Sequence, residues 1–173
     1  MDVWQAISTQ RAVRSFAERP LEPEHLDRIL RAGRRAPSSK NEQRWAFVVC
    51  TERKRLQTLS RVGPYAGHLA GAAAGIALVT PHAGERGKAE SIAFDLGQSA
   101  QTMMLAAWEL GIGSVHATVY EEDLVRDVLG YPEGHICPYV ISFGYPADPD
   151  DLGRPPGKGG RKPLGELVHH ERW

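Results

Sequence analysis

Cysteine is scarce: Cys50 and Cys137 are the chain's two, and they form neither a CxxC nor a metal-ligand spacing. A disulfide framework and a zinc module are therefore excluded as organising principles. Both lie in apolar, strand-like runs and read as buried free thiols of a reducing compartment. Charge of one sign is also lacking, since Lys+Arg and Asp+Glu stand at 21 each. A balanced chain has no field to hold nucleic acid or an anionic membrane, so neither is expected as a partner. No apolar run reaches the length of a membrane span. Met1 to Gln5 lacks the basic and apolar regions of a secretory signal, and the cytoplasm is predicted. Gly71, Gly75 and Gly97 make no GxGxxG after a strand, and no GxSxG elbow occurs. His169 and His170 are adjacent, point apart in an extended chain and have no third ligand nearby, so no metal is expected. There is no internal repeat.

What remains is an ordinary soluble composition, 42% hydrophobic and 24% charged over 173 residues, enough for one domain with a real core. Residues 2–9 read as a short helix with Val3, Trp4 and Ile7 on one face. Residues 11–20 are extended and polar. Residues 23–35 read as a helix that starts at Pro23 and is ended by Pro37. Residues 45–50 form a buried strand, and Thr51 is placed to cap a helix reaching about Arg61. After the Gly63-Pro64 break come a small-residue helix over 65–73, a strand over 75–79 and a loop over 81–88. The longest helix spans 90–111. Its apolar positions, among them Ile92, Phe94, Leu96, Met103, Met104 and Trp108, cover more than one face. Such a helix is buried on more than one side, which in a small chain points to a second subunit. A strand over 114–120, a helix over 121–129 and a strand over 136–143 follow. Residues 145–173 form an extended C-terminal arm, rich in Pro and Gly, that ends in Leu, Val and a terminal Trp. A disordered tail rarely carries such residues, so the arm is expected to dock.

Two Arg-bearing segments carry the chemistry. Gln10-Arg11-Ala12-Val13-Arg14 sets two guanidinium groups three residues apart. Pro37-Ser38-Ser39-Lys40-Asn41 supplies short donors and acceptors. Arg binds phosphate bidentately, and hydroxyl and amide groups suit a ring edge and a sugar-like chain. Together they fit a planar phosphorylated ligand. Tyr65 and His68, after the Gly-Pro break, are candidates for the substrate side, against the plainer reading of surface residues.

These segments, with Gly160-Arg161-Lys162 in the arm, resemble the nitroreductase family of FMN-dependent oxidoreductases from about Ile7 onward. The resemblance implies an α+β fold: a central, mostly antiparallel sheet flanked by helices, with the C-terminal tail wrapping the partner subunit. It implies a homodimer with FMN at the interface and NADH or NADPH as co-substrate. The acceptor would be a nitroaromatic, a quinone or a similar small molecule. Carried over by position, Gln10, Arg11, Ala12 and Arg14 would meet the phosphate, ribityl chain and pyrimidine edge. Pro37, Ser38, Ser39 and Asn41 would come from the other subunit. Arg161 would close on the phosphate. The strand holding His116, Thr118 and Val119 would run under the ring, with His116 packing against it rather than acting as an acid. No side chain is assigned as catalytic, because the flavin does the hydride chemistry. Gln10 and Ala12 stand where the family commonly has Arg and Ser, with Lys158 a possible compensation. A flavin-storing or sensing dimer and a specialised flavin oxidase are the alternatives.

Overall fold

The computed structural model describes residues 1–154 and 160–173; Lys158 lies outside the described residues. Its centre is a four-stranded sheet of β1 (Ala46–Cys50), β2 (Ala74–Pro81), β3 (Gly113–Thr118) and β4 (His135–Gly144). The order is β1-β2-β4-β3 with every neighbouring pair antiparallel. The strands' near-continuous apolar character follows from burial on both faces. On one face Ala77, Ala117 and Val140 pack under α3 (Arg53–Leu59) and α5 (Glu122–Leu129), through Leu56, Leu59 and Val125. On the other, Ile76, Leu78, Ile141 and Phe143 meet α2 (Pro23–Arg34) and α4 (Arg86–Glu109), through Ile29, Leu96 and Met103. The α2–α4 crossing is close. A Cβ at Gly33 would stand 2.4 Å from Met103, and Ser99 Oγ donates to the Gly33 carbonyl at 3.1 Å.

Several expected boundaries are corrected. The long helix begins at Arg86, not 90, so the loop over 81–88 is shortened from its far end; an Arg86–Glu90 ion pair of 2.7 Å spans the extra turn. Thr51 does not cap α3. Glu52 holds the N-cap position, without a side-chain bond, and the helix stops at Leu59. The segment 65–73 makes only a 3-10 turn, Gly67–Gly71, because its glycines weaken a helix. β3 ends at Thr118, two residues early, because Tyr120 N–H leaves for the Val62 carbonyl at 2.7 Å. In α1 (Val3–Thr9) the shared face of Val3, Trp4 and Ile7 is exposed, and Ala6 is the residue buried.

The Gln10–Phe16 segment reaches the sheet because glycine lets it. Val13 N–H donates to Ser114 O at 3.1 Å, and Ala12 forms a parallel bridge with Ser114. Below this crossing a Cβ at Gly113 would lie 2.5 Å from Val13 Cβ. At Gly144 it would lie 2.8 Å from the Phe16 ring. Gly113→Ala is expected to lift the segment and lower stability by about 1–3 kcal/mol. Chemical denaturation of Gly113→Ala and of Gly113→Ala with Val13→Ala checks this: the second change should restore part of the loss, and additive losses would refute the steric account.

Candidate functional site

Alternation along an edge strand builds the site. The odd residues of β3 pair with β4, and the even ones turn their backbone groups outward. Ser114 O is taken by Val13, and beyond the strand Tyr120 N–H is taken by Val62. Between them the His116 backbone and the Thr118 N–H face the edge, the Thr118 carbonyl being covered by Gly63, and both side chains are exposed. His116 meets Tyr139 edge-on, ring centroids 6.3 Å apart. The two residues line a cavity of about 290 Å³ whose wall is α4, with Leu96, Ala100, Gln101 and Met104.

The Gln10–Arg14 segment closes one end. Gln101 Nε2 donates to Gln10 Oε1 at 2.7 Å. Arg11 Nη1 donates to the Ser8 and Gln10 carbonyls at 3.0 and 2.8 Å, holding a cation at the C-terminal end of α1. Gln10 Nε2, Arg11 Nε and Ser114 Oγ are buried without a hydrogen-bond partner. Buried polar groups rarely stay unpaired. Three around one strand crossing suit the hydrogen bonds of a polar, anionic chain. FMN's ribityl phosphate is such a chain, so the residues present fit that group. Arg14 is exposed beside this cluster.

His68, expected on the substrate side, packs against the sheet rather than standing at the surface. It is half-buried under the sheet, with Nδ1 2.8 Å from Ser142 Oγ. Ser142 Oγ also donates to the Val115 carbonyl at 3.2 Å, so His68 Nδ1–H is the donor and buried Nε2 keeps an unpartnered lone pair. Burial first, then the charge of Arg14, then His116, push its pKa from 6.5 down to about 4. Tyr65 is 79% exposed.

The second segment does not join this edge within one chain. Ser39 N–H donates to both carboxylate oxygens of buried Asp95, at 3.2 and 3.1 Å. Asp95 and Ala100 point about 140° apart around α4, so the helix stands between Ser39 and the His116 cavity. Pro37, Ser39, Lys40 and Asn41 are exposed, Ser38 half-exposed. Lys40, Asn41 and Gln43 hold φ of 51°, 56° and 48°, a left-handed backbone unusual outside glycine. Ser38 Oγ, accepting from Gln43 N–H at 3.0 Å, braces the turn. From Gly160 the arm is exposed, and no hydrogen bond or ion pair joins Arg161 to Gln10–Arg14 among the described residues. Asp95, Gln101 and Tyr139 were missed in the sequence. Asp95 alone left a signal there, an acid in step with Ile92, Leu96 and Ser99.

Known proteins are similar to this chain in sequence and fold. The model of the nitroreductase family matches residues 7–67 and 56–145. A protein of Archaeoglobus fulgidus described as a candidate NADH dehydrogenase/NAD(P)H nitroreductase is 30% identical over 171 residues, 96% of each chain. One of the same description from Methanothermobacter thermautotrophicus is 35% identical over 153 residues, 86% of this chain and 79% of that one. A crystal structure from Parabacteroides distasonis, again so described, superposes with a TM-score of 0.84 at 28% identity, covering 98% of both chains. The chain belongs to the nitroreductase family.

The His68 environment predicts a pH response. Its folded pKa lies below the ordinary 6.5, so the unfolded chain binds the extra proton and stability is lost as pH falls from 6.5 toward 4. Denaturant midpoints at pH 7 and pH 5 for the parent and His68→Gln check the sign: the parent should lose more than the variant on acidification. Equal losses would mean that His68 is not held neutral.

Proposed function

We propose that the chain is an FMN-dependent oxidoreductase using NADH or NADPH, working as a homodimer with the flavin at the subunit interface. The observation that carries this reading is the cluster of unpaired buried polar atoms, Gln10 Nε2, Arg11 Nε and Ser114 Oγ, at the end of an open strand edge. The names of the archaeal relatives agree with it. Arg11 and Arg161 would hold the phosphate by charge-assisted bonds, and Gln10, Ala12 and Ser114 would meet the ribityl chain. Arg14 would place positive charge near the pyrimidine edge, which eases reduction there. The outward N–H of Thr118 would address the ring, with His116 beside it; Val119, expected there too, gives its own N–H to the Pro138 carbonyl at 3.0 Å. The chemistry that FMN supplies when bound is hydride transfer, from the nicotinamide and onward in ping-pong order to a nitroaromatic, quinone or similar acceptor.

What one chain leaves open supports the dimer. Phe94, on the outer stripe of α4, is 72% exposed, and Leu164, Leu167 and Trp173 of the arm are 75%, 58% and 99% exposed. β1 has a free edge beside a groove lined by Leu30, Trp45, Phe47 and Val49. An arm with apolar side chains suits that groove on a second copy. Pairing across α4 would also bring the partner's Pro37–Asn41 segment toward an edge that this chain's own segment does not reach. Light scattering at micromolar concentration should therefore give a dimer, and a folded monomer would refute the shared site.

Removing one charge-assisted phosphate bond costs about 1.5–3 kcal/mol of affinity. Arg11→Ala should thus emerge from gel filtration without flavin while keeping its far-ultraviolet dichroism; full flavin occupancy would remove Arg11 from the phosphate site. Sharing between subunits has its own test. Arg11→Ala with Arg14→Ala, and Ser39→Ala with Asn41→Ala, should each be inactive. A mixed dimer then has one site with all four changes and one with none, so subunit exchange should restore NADH-dependent flavin bleaching toward one site per dimer. Exchange without recovery would place the whole site in one chain.

A further inference from the structure

Two polar side chains interrupt the apolar face of the sheet that α3 and α5 cover. Ser142 is fully buried in β4, in step with Val140, and His68 reaches it from the 3-10 turn Gly67–Gly71. Placing a hydroxyl and an imidazole among aliphatic groups costs free energy that apolar side chains would avoid. The imidazole recovers only part of it, since Nε2 has no partner. What the pair does make is a one-way chain of hydrogen bonds. His68 Nδ1–H donates to Ser142 Oγ at 2.8 Å, and the Ser142 hydroxyl donates to the Val115 carbonyl at 3.2 Å. Val115 and Ser142 also face each other in the β3–β4 ladder, so the hydroxyl is a second donor on one carbonyl oxygen. The Val115 carbonyl and the His116 N–H belong to one peptide group. Its oxygen points to β4 and its N–H to the open edge, beside the cavity that His116 lines. Hydrogen bonds in a chain polarise one another, and an amide whose oxygen is drawn on by two donors has a more positive N–H.

We propose that His68 and Ser142 are positioning residues that fix and strengthen the His116 N–H as a hydrogen-bond donor to the ligand held at the open edge of β3. The proposal rests on the flavin reading of that edge for the ligand's identity. It adds a backbone donor whose strength is set from the far face of the sheet. Neither side chain touches the ligand; both act through the Val115–His116 peptide. A ligand atom that gains electron density on reduction benefits most from such a donor.

His68→Leu and Ser142→Ala break the chain at different links. His68→Asn restores the first, because its amide nitrogen can stand where the imidazole Nδ1 does. In proton–nitrogen correlation spectra of the protein as purified, with its histidines nitrogen-15 labelled, the His116 amide proton should move upfield in His68→Leu and Ser142→Ala. In His68→Asn it should return toward the parent position. FMN release on dilution of the loaded dimer should give a Kd raised about two- to fivefold in the first two variants, and the midpoint potential of the bound flavin should fall. A pair that merely pins the Gly67–Gly71 turn would lower stability and leave the His116 amide and the potential where they were. An unmoved His116 amide therefore overturns the proposal. Should Ser142→Ala fail to fold, Ser142→Cys keeps a side chain there with a weaker donor and gives the same reading. A parent protein that takes up no FMN overturns the flavin reading, while the amide shift still decides whether the chain of hydrogen bonds acts on His116.

Discussion

The structure depends on one close approach, that of the Gln10–Phe16 segment to the end of the sheet at Gly113 and Gly144. Everything polar in the site is located by it. With a side chain at either glycine, Val13 or Phe16 would be pushed off by contacts of 2.5 to 2.8 Å. The bond from Val13 to Ser114 would go with them, and with it the position of Gln10 against α4. The two glycines stand opposite each other at the ends of β3 and β4, where the ladder stops. They are therefore the places where a segment without regular structure gains a fixed address.

Helix α4 decides the second half of the geometry. Its inward face, Ile92, Leu96 and Met103, is ordinary core. Its flanks do different work: Asp95 anchors Ser39 on one, and Leu96, Ala100 and Met104 wall the His116 cavity on the other. Phe94 and Gly97 between them are left in water. One helix thus separates two polar segments that have the same kind of ligand chemistry. A buried carboxylate such as Asp95 is a costly anchor for a loop with no task. The strained Lys40–Gln43 turn it holds adds to that cost. Both make sense if the loop serves a site across the outer stripe, on another copy of the chain.

Much of this was legible in residue order. Most helix and strand types followed from period and from Pro and Gly punctuation, as at Pro23 and Pro37. The Arg-bearing segments stood out because their polarity interrupts apolar runs. What could not be read was set by tertiary partners. The early end of β3 depends on Val62, some 58 residues away in sequence from Tyr120. The inward turn of His68 depends on Ser142, which looked like one more strand residue. The outward face of α1 was hidden for the opposite reason: Val3, Trp4 and Ile7 have the period of a core face, yet the side they present has no cover in a single chain.

The substitution pattern at the phosphate end then acquires a physical meaning. Gln10 and Ala12 supply neither charge nor hydroxyl, and one guanidinium nitrogen of Arg11 is already engaged by the carbonyls of Ser8 and Gln10. The cluster that remains is mostly neutral: an amide fixed by Gln101, a serine hydroxyl and the rest of one guanidinium. Neutral donors orient a phosphate but compensate little of its desolvation, whereas a second cation does both. The arm is held to this chain as far as Leu152, through Ser15–Ala17; Arg161, in its exposed part from Gly160 on, is the cation the resemblance assigns to that place. On this reading, docking of the arm and retention of the flavin are one equilibrium: an arm that finds its partner subunit delivers charge to the phosphate, and a bound phosphate holds the arm in place.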